Sequence, residues 1–109
     1  MRTSVRIGNA VTTHGELQRA LKAGLYVNAR AAARELQVVP LEDALELTLL
    51  AAEKDPRRFE AMAVRWLQRL IEERSPSLNE TVWAGTRLKD VKEGRAFEAA
   101  PALRRFVGR

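Results

Sequence analysis

The sequence predicts an all-α fold, a compact single-domain bundle of four to five helices. Alanine and leucine supply 31 of the 109 residues, whereas valine and isoleucine supply 11. Alanine and leucine lose little freedom in a helix, and β-branched side chains lose more. Apolar residues also recur at the helical period through residues 59–71. A chain of this length is typical of one domain.

The N-terminal third is expected to hold a loose arm followed by two helices. Residues 1–12 have mixed character and predict the arm. Thr13-His14-Gly15-Glu16 has the spacing of a capping box, which predicts a helix over 14–24. Asn28 is suited to cap a second helix over 29–37, whose alanine-rich inner face permits close packing against another helix.

The third and fourth helices carry most of the predicted core. Pro40 suits the first turn of a helix over 40–54, and the narrow polar stripe of that segment is typical of a central helix. Asp55-Pro56 breaks it, and the strongest helical pattern follows over 57–74. The residues expected to be mostly buried are Leu45, Leu49, Ala52, Phe59, Trp66 and Leu70.

The C-terminal part predicts a fifth helix and a basic tail. Ser77-Leu78-Asn79-Glu80 is a second capping box and opens a helix over 78–92, which Gly94 ends. The tail is expected to hold at most a short helix around 101–107, because Pro101 interrupts a longer one. The chain thus divides into an arm over 1–12, a helical bundle over 13–94 and a basic tail over 95–109.

The composition excludes several classes of site. The chain has no cysteine and one histidine, so disulfides, thiolate zinc sites and paired imidazoles are excluded. It shows no nucleophile–base pair, phosphate loop or metal cluster. We therefore expect a protein that is not an enzyme and has no cofactor, metal or small-molecule substrate. No apolar run is long enough for a membrane span or a signal peptide, so we expect a cytoplasmic protein without a membrane partner.

Charge is distributed unevenly along the chain. The net charge is +5, and 15 of the 19 basic residues are arginine. Residues 1–34 and 57–109 each carry a net +5, whereas residues 35–56 carry −5. One explanation of the high arginine content is a GC-rich genome, which favours arginine codons. Internal pairing is another, with the tail or Arg30 and Arg34 facing the acidic helix. A basic surface for nucleic acid is the third.

A protein-binding role is the leading functional hypothesis, that of a small regulatory or adaptor module. Trp83 lies off the apolar face of its helix, where it could stack on Arg87 or pack against the tail. Exposed tryptophans are common among the residues that dominate binding at interfaces. The tail mixes basic and apolar residues, which suits docking on a partner and also suits covering the end of the core. The partner would be another protein or a second copy of this chain. The candidate residues are Trp83, Arg87, Phe97, Arg104, Arg105 and Phe106.

Nucleic-acid binding is the alternative hypothesis. Residues 29–38 look like the first helix and turn of a helix-turn-helix, but the next helix has Glu42, Asp43 and Glu46 where bases would be contacted. Phosphates repel carboxylates there, so contact is expected through arginines elsewhere and mainly to phosphate, with steep salt dependence. The candidate residues are Arg30, Arg34, Arg58, Arg65, Arg69, Arg104 and Arg105.

One stretch of the chain carries a resemblance. The segments that carry it are Ala32–Leu36, Pro40–Leu45, Ala52–Phe59 and Ala63–Leu67. Through them, residues 29–74 resemble small all-helical proteins of high-GC actinobacteria. The resemblance implies a helical, cytoplasmic protein and supplies no chemistry or site.

Overall fold

The computed structural model describes the backbone of residues 2–109 and the side chains of residues 13–109. That part of the chain forms six α-helices and no strand, which confirms the all-α prediction and corrects the expected number of helices. None of the helices described is long and apolar enough to cross a membrane. The helices are α1 (Arg2–Ala23), α2 (Tyr26–Glu35), α3 (Leu41–Lys54), α4 (Pro56–Arg74), α5 (Leu78–Lys92) and α6 (Ala96–Val107).

The first helix begins earlier than the sequence predicts. α1 starts at Arg2 and runs through the segment expected to be an arm, of which Met1 and the side chains of residues 2–12 lie outside the described part. The capping box at Thr13–Glu16 therefore starts no helix. Thr13 is buried instead, and its hydroxyl donates to a Glu35 carboxylate oxygen at 3.5 Å. Thr13 therefore contacts α2 instead of starting a helix.

A glycine ends α1 and sets where α2 begins. Gly24 has a φ of 70°, which favours glycine. Its N–H donates to the Leu21 carbonyl at 3.2 Å, and the Leu25 N–H donates to the Ala20 carbonyl at 2.9 Å, the pattern of a Schellman motif. The chain turns so tightly that α2 starts at Tyr26, two residues before the predicted cap at Asn28.

The predicted boundaries of the next three helices are close to the observed ones. Pro40 precedes α3, and Pro56 occupies the first turn of α4. Ser75, with a φ of 47°, ends α4. The capping box of α5 is confirmed: the Glu80 N–H donates to Ser77 Oγ at 3.1 Å, and the Ser77 N–H donates to Glu80 Oε1 at 2.9 Å.

The tail forms a twelve-residue helix rather than a short one. Gly94, with a φ of 94°, closes α5 through a second Schellman motif, in which the Arg95 N–H donates to the Asp90 carbonyl at 2.8 Å. α6 then continues through Pro101, which is exposed. Burial of one apolar face outweighs the loss of the proline's backbone donor. The buried residues of that face are Ala99, Ala100, Leu103 and Val107.

Two apolar clusters hold the fold together, and α3 contacts every other helix. The main cluster joins α3, α4, α5 and α6, and the N-terminal cluster joins α1 and α2. Leu45, Phe59, Trp66 and Leu70 are buried in the main cluster as predicted. Leu49 and Ala52 pack at the edge of that cluster and are partly buried.

Three long side chains tie separate segments together by donating to backbone carbonyls. The Trp66 indole N–H donates to the Leu41 carbonyl at 2.9 Å inside the core. Arg69 Nη2 donates to the Val39 carbonyl at 2.8 Å, and Arg74 Nη1 donates to the Val107 carbonyl at 2.7 Å. The Val107 carbonyl lies in the last turn of α6, where no partner within the helix is available.

Truncation of a core leucine tests this packing. Leu45 and Leu70 are 0% and 1% exposed, so Leu45→Ala or Leu70→Ala should lower the free energy of unfolding by about 2–5 kcal/mol. Urea denaturation followed by circular dichroism measures this loss. Leu78→Ala is the matched control, because Leu78 is 78% exposed and should cost under about 0.5 kcal/mol. Equal losses in core and control variants would contradict the described core.

Candidate functional site

A groove between α5 and α6 brings together part of the predicted protein-binding set. It has a volume of about 890 Å³ and is open to solvent. Trp83 from α5 and Phe106 from α6 line it, with ring centroids 5.3 Å apart and planes inclined by 51°. We call it the aromatic groove. Its lining residues are Asn79, Glu80, Trp83, Ala102, Arg105, Phe106, Gly108 and Arg109.

Packing of the two helices fixes this aromatic pair. The cap at Ser77 starts α5, and Ala84 and Leu88 turn one face of that helix into the main cluster. Trp83 and Phe106 are half-buried at the edge of the same cluster. Trp83 therefore packs against the tail, the second of the two placements that the sequence left open. Half-burial leaves part of each ring available to a ligand.

Guanidinium groups stand at the edge of the aromatic groove. Arg105 is exposed and forms no ion pair with any residue whose side chain is described, and residues 1–12 contain no acid. The Arg109 guanidinium lies 4.9 Å from the centroid of the Phe106 ring, and its Nη2 is 3.7 Å from Glu80 Oε2. The groove thus combines an aromatic surface with a guanidinium that has donors to offer.

The other three predicted protein-binding residues lie outside the aromatic groove. Arg87 pairs with Asp90 at 2.9 Å rather than stacking on Trp83. Arg104 donates to both carboxylate oxygens of Glu46, at 2.7 and 2.9 Å. Phe97 is 78% exposed and does not line the groove. A hydrogen bond from Arg95, aided by the charge of Arg87, holds the pKa of Asp90 below its ordinary value.

A second concave site, the arginine cleft, gathers four of the predicted nucleic-acid residues. Arg30 and Arg34 come from α2, and Arg58 and Arg65 come from α4. Its volume is about 240 Å³. Arg69 lines an adjoining cleft with Arg65, whereas Arg104 and Arg105 lie elsewhere. The remaining lining residues of the arginine cleft are Ala33, Leu47 and Met62.

The four arginines of the cleft differ in how they are held. Arg58 Nε lies 3.1 Å from Asp55 Oδ2, and the Arg30 guanidinium lies 5.8 Å from the Tyr26 ring centroid. The Tyr26 hydroxyl also donates to Asp55 Oδ2 at 3.1 Å. Burial, and then this hydrogen bond, raise the pKa of Tyr26. Arg34 and Arg65 form no ion pair with the residues whose side chains are described, so they are the most available.

The acidic face of α3 is met by basic side chains from three other helices. Asp43 lies 3.7 Å from His14 Nε2 of α1, Glu42 lies 3.5 Å from Arg74 Nη2 of α4, and Glu46 binds Arg104 of α6. Internal pairing is therefore present through the tail, although Arg30 and Arg34 take no part in it. Among the described side chains, no group of three or more potential ligands could hold a metal ion.

Five residues of the groove are not among the predicted binding residues: Asn79, Glu80, Ala102, Gly108 and Arg109. A signal existed for Ala102, because a spacing of four residues places it on the same face as Phe106 in the short helix expected over 101–107. Gly108 and Arg109 lie beyond the end of α6, so helical spacing does not predict their positions.

Comparisons with models of protein families, with curated proteins and with solved structures find no match to this chain.

The half-buried Asp43 gives a prediction on pH. Burial raises the pKa of Asp43, while the charge of His14 opposes that shift. A raised pKa means that the folded state holds the proton more tightly than the unfolded state, so stability falls as the pH rises through this pKa. Asp43→Asn should therefore raise the free energy of unfolding at pH 7 and flatten this part of the pH profile.

Chemical denaturation between pH 4 and pH 8 checks this, with Glu16→Gln as control because Glu16 is an exposed acid of the same charge. An Asp43→Asn protein that is less stable at pH 7 would show that the pair with His14 outweighs the burial of Asp43.

Proposed function

We propose that this protein is a small, non-enzymatic adaptor or regulatory module that binds another protein through its aromatic groove. The observation that carries the proposal is the position of Arg105, without an ion pair among the described residues, beside the half-exposed rings of Trp83 and Phe106. Tryptophan and arginine are enriched among residues that dominate binding energy at interfaces. A volume of about 890 Å³ accommodates a few side chains of a partner.

The chemistry of the aromatic groove favours an acidic segment that carries an apolar side chain. The apolar side chain would lie on the Trp83 and Phe106 rings, and a carboxylate would accept from the planar fork of Arg105. Arg109 is less available, because it lies over Phe106 and near Glu80. One apolar and one anionic group on the same segment would therefore satisfy the groove.

A second copy of this chain fits the aromatic groove poorly. A twofold-symmetric interface presents the same surface on both subunits. An interface between two copies through this groove would bring two rims carrying Arg105 and Arg109 close together, and like charges near each other disfavour association. We therefore expect the partner to be a different protein with an acidic surface segment.

The two tryptophans of the chain provide the test. Trp66 is 2% exposed in the core, and Trp83 lines the groove, so the protein has two indole N–H resonances with different access to a ligand. Titration with a soluble peptide of alternating leucine and glutamate should shift the Trp83 resonance and leave that of Trp66 in place. The matched peptide of alternating leucine and lysine should shift neither.

Substitution of Arg105 tests whether its positive charge contributes to binding of the acidic peptide. Arg105→Gln should weaken acidic-peptide binding by about tenfold, since a hydrogen bond to a charged group is worth about 1.5–3 kcal/mol. Arg57→Gln is the matched control, because it removes the same charge from an exposed residue of α4 that does not line the groove. An unmoved Trp83 resonance at millimolar peptide, or equal shifts with the basic peptide, would refute the proposal.

A further inference from the structure

We propose that the arginine cleft between α2 and α4 is a binding site for the phosphodiester backbone of nucleic acid. It shares no residue with the aromatic groove. It gathers four guanidinium groups from two helices around an apolar floor of Leu47 and Met62. Arginine presents a planar fork that matches the oxygens of a phosphate, which makes it the preferred residue for this group.

The arginines form two rows with helical spacing. Arg30 and Arg34 are four residues apart on α2, and Arg58 and Arg65 are seven apart on α4. These separations correspond to about 6 Å and about 10 Å along the helix axes. A nucleic-acid strand repeats its charge every ~3.4 Å of rise, so neighbouring phosphates are available to both rows. A nucleic-acid backbone presents this charge at every unit whatever its base sequence, whereas a protein segment does so only where acids follow one another, which is why the arrangement favours nucleic acid.

Enough donors remain in the arginine cleft to hold phosphates. Arg34 and Arg65 form no ion pair with the described residues. Arg58 faces Asp55 with its Nε, which leaves its terminal nitrogen atoms for a second acceptor. Two acids lie beside these arginines and could compete for them. Asp55 pairs with Arg58 and also accepts from Tyr26, and Glu35, which follows Arg34 in the sequence, accepts from Thr13. Both are engaged by neighbouring groups.

The residues that line the cleft also indicate which part of a nucleic acid it would contact. Its lining contains aliphatic side chains and arginines and no exposed aromatic ring on which a base could stack. The helix that follows α2 presents acids that are paired internally, so it supplies no base contacts. Binding should accordingly depend on the backbone charge and vary little with base sequence.

The experiment is a salt series of fluorescence anisotropy with labelled duplex DNA of generic sequence. If each of the four arginines contacts one phosphate, the logarithmic salt slope is about −3.6, and affinity falls about 150-fold between 50 and 200 mM salt. Arg34→Gln combined with Arg65→Gln should halve the slope and weaken binding at least tenfold at low salt. Lys22→Gln combined with Lys89→Gln removes the same charge from exposed residues outside the cleft and should leave the slope unchanged.

Two further ligands, duplex RNA and polyglutamate, test whether the cleft prefers phosphodiesters to carboxylates. Duplex RNA should bind with a similar slope, because the phosphodiester is shared. Polyglutamate of equal charge should bind at least tenfold more weakly than the duplex, and equal affinity would overturn the proposal. It would also be overturned by no binding at 50 mM salt, or by equal effects of the two double variants. The Trp83 resonance should respond to acidic peptide in the Arg34/Arg65 double variant as in the wild type, so each proposal can fail independently.

Discussion

The fold depends on a helix that is packed on more than one side. α3 contacts all five other helices, with Leu45 in the main cluster and Leu47 packed against the N-terminal cluster. A helix in this position has little surface left for polar groups, so its acids occupy a narrow stripe. Basic side chains from α1, α4 and α6 reach that stripe, with Arg104 meeting Glu46 most closely. Burial of α3 thereby determines how the neighbouring helices place their charges.

This pairing decides which basic residues are left for other partners. Arg104 binds Glu46 with two hydrogen bonds, whereas Arg105, the next residue of α6, turns to the aromatic groove. The acids of α3 are met by the tail rather than by α2, which leaves Arg34 without an ion pair among the described residues. The two candidate sites are therefore where basic residues exceed the acids within reach.

Local signals in the sequence were sufficient where neighbouring residues decide the structure. The capping box at Ser77–Glu80 and the proline at position 56 could be recognised from a few residues, and helical periodicity identified Trp66 as core. Packing at long range decided the rest. The contact between Trp83 and Phe106 joins residues that are 23 positions apart in the sequence, and the arginine cleft depends on the orientation of α2 against α4. Neither relation has a local pattern from which it could be predicted.

The structure explains part of the high arginine content. Arg69 donates to the Val39 carbonyl and to Glu73, and Arg74 donates to the Val107 carbonyl while pairing with Glu42. A guanidinium can reach a carbonyl and a carboxylate together, because its donors point in several fixed directions. Lysine carries its charge at a single nitrogen and would bridge these segments less well. Net charge alone therefore overstates the basic surface, and Arg34, Arg65 and Arg105, which pair with no described residue, are the arginines of the candidate sites that are most available.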